Sequence, residues 1–305
     1  MPKTSSRIHR GLVGARDLVG QAYLADRELR REYEAEIAPR TEAALARILA
    51  AMELPRPRRA LDLGAGTGAV GRAISRRWGS VELWAVDKVG GPGIVQADVT
   101  RAVRPTGVEG RFDLVIAAHL LNELALDVDR RARLVLAWCR ELLADDGHCI
   151  LVEPALRETS RALLEVRDRV LAAGHFAVAP CLWQGPCPAL VRDRDFCHDS
   201  AGPAAEGRSR VDFSYLVLRR QGCATGDTGL FRIVSDAMKD KGRLRFFACG
   251  PAGRILVTRL DRERGAGNHA LDKLERGDLV HIEGADARAD GLRCTLGTTV
   301  ARKDS

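Results

Sequence analysis

The sequence has no apolar run long enough to span a membrane, and its first residues lack the apolar segment of a secretory signal. We therefore expect neither a membrane protein nor a secreted one, and we predict a cytoplasmic location. No acidic residue precedes Asp17, and the basic residues before it are mixed with Thr4, Ser5 and Ser6. This composition is similar to that of a mitochondrial transit peptide, so the mitochondrial matrix is the alternative location.

The composition predicts a folded protein with a basic surface at both ends of the chain. A length of 305 residues with 46% hydrophobic residues is enough for one large domain and an appendage. The net charge is +7, and the basic excess lies in residues 1–59 and 201–305. Basic flanks favour a phosphate-rich partner such as RNA, because each neutralised phosphate releases counterions. Solvated arginines without a partner are the alternative.

A glycine-rich stretch at residues 61–71, LDLGAGTGAVG, joins a short apolar run to a helical pattern. It predicts a strand, a tight turn and a helix, with glycines where a cofactor approaches the main chain. Gly66, Gly68 and Gly71 satisfy the G-x-G-x-x-G pattern of dinucleotide-binding proteins, with Asp87 at the distance of a ribose-binding acid. An NAD-type ligand is therefore one interpretation, and a glycine turn without a ligand is another.

Read from Asp62, the same stretch resembles the acid-led glycine motif of class I S-adenosylmethionine (SAM) methyltransferases. In those enzymes this acid helps to hold the methionine end of SAM, a second acid takes the ribose hydroxyls and a third lies near adenine. Asp87 and Asp98 follow the second and third predicted strands. The resemblance implies a SAM-binding, Rossmann-like α/β fold. Its implied cofactor-binding residues are Asp62, Gly64, Ala65, Gly66, Gly68, Asp87, Asp98 and His119.

The end of the fourth predicted strand, residues 112–118, is where methyltransferases of this fold face the reactive methyl group. The Asp/Asn-Pro-Pro-aromatic turn of amino-methylating enzymes is absent there, and so is the Pro-Cys pair of cytosine-C5 enzymes. His119 follows the strand and is interpreted either as a base or as a structural residue beside the cofactor. The sequence therefore assigns no catalytic residue, and methyl transfer stays open.

Three of the eight cysteines lie in an irregular stretch rich in Pro and Gly, residues 179–200, which we call the cysteine loop. They are Cys181, Cys187 and Cys197. A disulfide is not expected in a reducing cytosol, which leaves a metal site or plain thiols. The spacing C-x5-C-x9-C matches neither common zinc ribbons nor compact ferredoxin motifs, so the residues alone leave both alternatives open.

The cysteine loop, the run Asn122-Glu123-Leu124 and residues 213–218 together resemble a methyltransferase-like family that assists assembly of the small ribosomal subunit in bacteria and mitochondria. The resemblance spans roughly residues 20–260. It implies a [4Fe–4S] cluster, with zinc as the alternative for an all-cysteine site. The implied ligands are Cys181, Cys187, Cys197 and Cys249, whereas Cys223 matches nothing in the pattern and Cys139, Cys149 and Cys294 are interpreted as structural.

Alternating strand and helix patterns from about residue 60 predict a parallel sheet covered by helices. We predict an N-terminal helical arm over residues 1–59, the Rossmann-like core over 60–222 and a barrel-like, β-rich appendage over 223–305. The resemblance implies a ribosome assembly factor that binds rRNA of the small subunit. An active SAM-dependent methyltransferase, acting on rRNA or on a small molecule, is the alternative.

Overall fold

The computed structural model describes residues 6–202, 210–222 and 229–303, which form a helical arm and two sheets. The helices are α1 (Arg7–His9), α2 (Arg27–Glu36), α3 (Ala38–Ala50), α4 (Ala69–Trp78), α5 (Val128–Glu141) and α6 (Arg157–Ala172). The strands of the first sheet are β1 (Arg59–Leu63), β2 (Glu82–Asp87), β3 (Ile94–Gln96), β4 (Phe112–Ala118), β5 (Leu143–Pro154), β6 (Phe176–Ala179), β7 (Asp199–Ala201) and β8 (Val211–Arg219). The strands of the second sheet are β9 (Leu230–Ile233), β10 (Met238–Asp240), β11 (Arg243–Gly250), β12 (Gly253–Leu260), β13 (Leu279–Glu283), β14 (Asp286–Arg288), β15 (Gly291–Cys294) and β16 (Thr299–Arg302).

The first sheet has the order β3-β2-β1-β4-β5-β8-β6, with β7 added beside β8. Strands β1 to β5 are parallel, whereas β8 runs antiparallel to both β5 and β6. This order and direction confirm the predicted class I SAM-methyltransferase fold. The chain reverses its direction of travel through the sheet between β1 and β4, and such a switch point leaves a crevice at the carboxyl ends of the strands.

Two apolar cores cover the two faces of the first sheet. Alternation along β1 sends Leu61 and Leu63 to one face and Ala60 to the other. Trp138 on α5 is fully buried on the first face. As predicted, the structural cysteines are core residues: Cys139, Cys149 and Cys294 are all fully buried.

The N-terminal arm is helical, as the sequence predicts, and its first helix begins at Arg7. α1 continues as a π-helical turn over Arg10–Gly14, and both pack against the start of α2 through Ile8 and Leu29. The break between α2 and α3 falls at Ile37, two residues before Pro39, because proline disfavours helical geometry before it but fits a first turn. No helix in the described ranges is long and apolar enough to cross a membrane.

The second sheet has the order β14-β15-β12-β11-β9-β13-β16, with β10 beside β11. In the residues that the structure describes, this path ends at β14 on one side and β16 on the other, and the barrel-like form of the appendage stays a prediction. Strands β12 and β15 pair in parallel, which the pattern of short runs could not indicate. The first sheet ends at Arg219 and the second begins at Leu230, on either side of the predicted boundary at residue 222.

The cysteine loop is held by side chains of α6 more than by its own secondary structure. The Arg161 guanidinium donates to the carbonyl oxygens of Ala189 (3.3 Å), Leu190 (3.3 Å), Arg192 (2.8 Å) and Asp195 (2.8 Å). Four carbonyl groups therefore depend on one side chain, which is only 18% exposed. Its loss leaves acceptors without a partner, which costs more free energy than an average hydrogen bond contributes.

We predict that Arg161→Met lowers the free energy of unfolding by about 1–3 kcal/mol, because it removes the donors of these carbonyls and keeps most of the apolar stem. Arg157→Met is the matched control, since Arg157 is an exposed residue of the first turn of α6. It should change the free energy by less than about 0.5 kcal/mol. Urea unfolding followed by circular dichroism measures both, and equal midpoints for the two variants would contradict the role of Arg161.

Candidate functional site

The glycine-rich turn lies between β1 and α4 and takes the left-handed conformation that its sequence predicts. Gly64, Gly66 and Gly68 have φ values of +77°, +52° and +80°, which side chains with a Cβ rarely adopt. Asp87 at the end of β2 fixes this turn. Its Oδ2 accepts from the Gly66 amide (2.8 Å), and its Oδ1 accepts from the Val89 amide (2.8 Å). The turn is therefore preformed for a ligand at the switch point.

Asp62 lies on β1, beneath this turn, and only 1% of it is exposed. Its Oδ1 has no hydrogen-bond partner among the described residues. Burial, together with the nearby charge of Asp87, raises the pKa of Asp62 to about 8. A buried carboxyl without a partner is unfavourable unless a cationic or hydrogen-bonding group completes it. The position therefore suits a positively charged part of a ligand.

One cavity at the carboxyl edge of the sheet brings together most of the predicted cofactor residues. Gly64, Gly66, Asp87, Asp98 and His119 line it. Asp62, Ala65 and Gly68 do not line it. Within the turn, the Ala65 amide donates to Val86 O (3.0 Å), and the Ala65 carbonyl accepts from the Gly68 amide (2.8 Å). The fold therefore brings the glycine-rich turn, Asp87 and Asp98 to one cavity, with Asp62 buried outside its lining.

Asp98 is the most exposed of the three predicted acids, with 44% of its side chain accessible. Its Oδ1 accepts from the Thr100 hydroxyl (2.6 Å) and the Thr100 amide (2.9 Å), and these two bonds lower its pKa. Asp98 is therefore ionised at neutral pH and stands at the rim of the cavity.

The N-terminal arm forms one wall of this cavity, a feature that the sequence analysis missed. The Tyr23 hydroxyl donates to Glu123 Oε1 (2.8 Å), and Lys88 Nζ donates to the carbonyl of Gly20 (3.1 Å). Leu24 packs against the bare main chain of Gly66, where an added Cβ would lie 3.3 Å from it. These contacts join residues up to a hundred positions apart, so no local pattern could have revealed them.

Glu123 and Glu153 add two buried carboxyls to this edge of the sheet. Burial raises the pKa of Glu123 to about 7 and that of Glu153 to about 8. Glu153 Oε1 accepts from the Leu121 amide (3.0 Å) at the turn after β4. Arg16 donates to the side-chain and main-chain oxygens of Asn122, both at 3.3 Å. The Asn122-Glu123-Leu124 run thus ties the arm to the ends of β4 and β5.

His119 takes a strained main-chain conformation directly after β4. Its φ is +57°, which is uncommon for a residue with a Cβ. Burial, with a smaller effect of Arg40, lowers the pKa of His119 to about 4, so the ring is neutral at pH 7. Its Nδ1 has no partner in the part of the chain that the structure describes. A strained, neutral imidazole with an unpaired ring nitrogen therefore lies in the wall of this cavity.

A second site lies where the cysteine loop meets the second sheet. Cys181, Cys187 and Cys197 of the loop and Cys249 of β11 all line one cavity. Burial, with a smaller effect of neighbouring thiols, raises the pKa of Cys187 to about 11 and that of Cys249 to about 12. The pKa of Cys197 is also raised, by burial and then by Cys249. The fold thus gathers all four predicted ligands.

These four thiols are free cysteines, with no disulfide among them. Within residues 6–202, 210–222 and 229–303, no group of three or more His, Cys, Asp or Glu side chains is arranged to hold a single metal ion. Cys223 lies outside the described residues. His198, next to Cys197, stacks on Phe196 with ring centroids 5.1 Å apart.

Arg167 and Asp168 of α6 hold the loop next to these thiols. Arg167 donates to the carbonyls of Gly185 (2.6 Å) and Trp183, and Asp168 accepts from the Cys187 amide at 2.9 and 3.1 Å. Although burial alone would lower it, Cys181 and Asp168 raise the pKa of Arg167. Arg167 is 1% exposed, so its charge lies beside the thiols with little solvent screening. Such a cation favours thiolates over thiols at the site.

Solved structures with a similar fold are methyltransferases of low sequence identity. The plantazolicin methyltransferase BamL has a TM-score of 0.45 and 11% identity, over 66% of this chain and 94% of that one. The mitomycin 7-O-methyltransferase MmcR has a TM-score of 0.42 and 13% identity, over 67% of this chain and 60% of that one. Both TM-scores are below 0.5, so strand order and direction carry the fold assignment here.

The human ribosome assembly protein METTL17, mitochondrial, is 27% identical to this chain over 163 residues. The alignment covers 44% of this chain and 35% of the human protein. A family model described as mitochondrial small ribosomal subunit Rsm22 matches residues 19–279. These residues include the helices α2 to α6, the glycine-rich turn and all four cysteines of the loop site. Because the match takes in most of the sequence, this chain belongs to the Rsm22 family.

Proposed function

We propose that this protein is an assembly factor of the small ribosomal subunit, with SAM bound at the switch point and a [4Fe–4S] cluster held by four cysteines. The observation that carries the proposal is the convergence of Cys181, Cys187 and Cys197 with Cys249, which comes from the other sheet, in one cavity. Isolated thiols gain nothing from being gathered beside a buried arginine, whereas ligands of one metal centre must be gathered.

The names of the relatives support the ribosomal part of this proposal. The description of the matching family names the mitochondrial small ribosomal subunit, and the human relative is named as a ribosome assembly protein. Both names also lend support to the mitochondrial matrix, the alternative to the cytoplasmic location. The partner in our proposal is the small subunit itself, bound through its rRNA.

The donor set fits an iron–sulfur cluster. All four candidate ligands are thiols, which suit iron–sulfur clusters and zinc, and zinc stays the alternative. Positive charge beside the sulfurs stabilises such a centre, and the buried guanidinium of Arg167 supplies it. Bound to both sheets, the cluster would contribute to folding free energy and fix the second sheet against the first.

The switch-point cavity fits SAM on two grounds. Its ligand must approach the main chain closely, which the glycines at positions 64 and 66 allow. The unpaired buried carboxyl of Asp62 lies beneath the glycine-rich turn without lining the cavity, and we infer that it would attract the ammonium of SAM bound at the turn. Asp87 and Asp98 are available at the wall and rim of the cavity for hydroxyl and amino donors.

A second candidate function is methyl transfer itself. The observation that favours it is a further cavity that opens beside the first, with His119 in the common wall. In the assembly-factor interpretation, by contrast, SAM binding serves as a structural or sensing element and no methyl group moves.

For the cluster, we predict about four iron and four sulfide per chain in anaerobically purified protein, with a broad visible absorption band. Cys187→Ser should lose most of both because it removes one ligand. Cys139→Ala is the matched control, since Cys139 is buried in the core of the first sheet and should keep the full content. Zinc without iron would support the alternative metal, and a folded, metal-free wild type would contradict the metal site.

For SAM, we predict an affinity that rises with pH up to about 8, by as much as tenfold per unit, because Asp62 loses its proton over this range and then attracts the ammonium group. Asp62→Asn should bind at least about tenfold more weakly, with little dependence on pH. Asp145→Asn, whose side chain is 86% exposed and paired with Arg220, is the control. Titration calorimetry at several pH values measures the affinity of the wild type and of both variants for SAM. An unchanged pH profile in Asp62→Asn would exclude Asp62 from binding.

For RNA, we predict that binding of small-subunit rRNA weakens steeply with salt. Lys239 on β10 and Lys241 in the turn between β10 and β11 are both exposed. Replacing both by Gln should lower the slope of log affinity against log salt by about 1.4–1.8, because each phosphate contact contributes about 0.7–0.9. The control replaces Arg219 and Arg220 of the Rossmann-like core by Gln. Both arginines form ion pairs with aspartates. Filter binding at four salt concentrations gives the slope for the wild type and for both double variants. If the lysine variant and the control have equal slopes, the second sheet does not contact RNA through these lysines.

A further inference from the structure

The cysteine loop carries an exposed segment between two of its thiols, which we call the loop tip. The loop tip consists of Val191, Arg192, Asp193 and Arg194. All four residues lie at the surface, and Val191 is 82% exposed, which is unusual for an apolar side chain in this structure. The tip follows a short 3₁₀ helix over Pro188–Leu190. No tip residue lines the cofactor cavity or the cavity of the four thiols, so the tip belongs to neither site.

The main chain of the tip is turned towards α6. The Arg161 guanidinium donates to the carbonyl of Arg192 within the tip at 2.8 Å. It also donates to the carbonyls of Leu190 (3.3 Å) and Asp195 (2.8 Å) on either side. The Asp195 amide closes the turn by donating to the carbonyl of Arg192 (3.0 Å). The tip is therefore ordered before it meets a partner, so its side chains lose less conformational entropy on binding than those of an unrestrained loop.

The tip presents two cations without a partner. Oδ1 of Asp193 lies 3.7 Å from Nη2 of Arg161, so the acid of the tip has a cation beside it. Among the described residues, the side chains of Arg192 and Arg194 form no hydrogen bond or ion pair. The exposed Val191 adds an apolar surface next to them. Two free guanidinium groups beside an apolar side chain suit a partner that carries phosphates on a partly apolar framework.

The tip adjoins the second sheet. Arg254 of β12 pairs with Asp195 directly after the tip at 3.2 Å. Before the tip, Pro188 lies against Gly253, where an added Cβ would be 3.7 Å from its ring. The second sheet lies in the basic segment 201–305, whereas the tip lies outside both basic segments of the sequence. A polyanion bound along the second sheet can therefore extend onto the tip, which the distribution of charge along the chain does not indicate.

We propose that the loop tip is an RNA contact, in which Arg192 and Arg194 bind phosphates and Val191 packs against an unpaired nucleotide. The inference rests on the proposed binding of small-subunit rRNA and is independent of SAM. RNA supplies both chemistries that the tip requires, because unpaired nucleotides expose sugar and base surfaces next to their phosphates. An acidic protein surface would satisfy the arginines alone. The neighbouring basic sheet favours RNA, whose phosphates continue from one surface to the other.

Three variants of the full chain, purified anaerobically, test the proposal. Arg192→Gln with Arg194→Gln removes both cations of the tip. Arg130→Gln with Arg133→Gln is the matched control, because both are exposed arginines of α5. They lie towards the opposite end of α6, where Arg169 pairs with Asp129.

The third variant, Arg161→Met, keeps the tip arginines and removes the donors that order the main chain. Filter binding at four salt concentrations measures each protein with naked small-subunit rRNA and with purified small subunits. Circular dichroism and iron content establish that each variant is folded and equally loaded.

We expect the tip variant to bind naked rRNA at least about tenfold more weakly at about 0.1 M salt. The slope of its log affinity against log salt should fall by about 1.4–1.8, since two phosphate contacts are lost. The control should match the wild type in affinity and slope. Arg161→Met should bind about threefold to tenfold more weakly with an unchanged slope, because the phosphate contacts remain and only the ordering is lost.

The possible failures are distinguishable. A wild type that does not bind rRNA would overturn the proposed rRNA binding, and the tip contact with it. Salt-dependent binding by the wild type, with equal slopes in the tip variant and the control, would overturn the tip contact alone. Weaker binding of whole subunits with full binding of naked rRNA would assign the tip to an acidic protein surface and likewise overturn the RNA contact. An unchanged affinity in Arg161→Met would overturn the ordering of the tip by Arg161.

Discussion

The hydrogen bonds that α6 donates to the cysteine loop are the interaction on which the second site depends. The loop has little regular secondary structure, so its main-chain groups need other partners. Arg161 and Arg167 supply donors to six carbonyls, and Asp168 accepts from the Cys187 amide. α6 is itself anchored by apolar residues in the core of the first sheet. The positions of three thiols are thus set by the packing of one helix.

The first site depends on a different constraint, the meeting of parallel strands at one edge. The carboxyl ends of β1, β2 and β5 and the turn after β4 carry Asp62, Asp87, Glu153 and Glu123 at one edge of the sheet. Burial raises the pKa of Asp62, Glu123 and Glu153, and the two oxygens of Asp87 accept main-chain amides. A set of acids close to their ionisation range responds strongly to a cationic ligand, which is the electrostatic character expected of a SAM site.

The sequence predicted the features that depend on residues close together in the chain. The alternation of apolar runs and helices predicted the first sheet, and the run from Asp62 to Gly68 predicted the turn. The arm wall was not predicted, because the Tyr23–Glu123 hydrogen bond joins positions far apart that carry no pattern. The parallel pairing of β12 with β15 was not predicted for the same reason, because short strands look alike in sequence whichever way they pair. Cys249 was found through a family resemblance, since its spacing from the loop says nothing about distance in space.

Each of the two sites combines residues of the Rossmann-like core with residues from outside it. The core supplies the turn and the acids of the first site, but Tyr23 and Leu24 of the arm cover them. The core also supplies three thiols of the second site, but Cys249 comes from the second sheet, which Arg254 joins to Asp195 of the loop at 3.2 Å. A ligand at either site would therefore be bound by two parts of the chain at once.

The binding free energy of such a ligand must favour the arrangement in which arm, core and second sheet are assembled, because only that arrangement offers the full set of contacts. The basic excess lies in the arm and the second sheet, so the two ligands would fix the relative positions of the two surfaces that we expect to meet RNA.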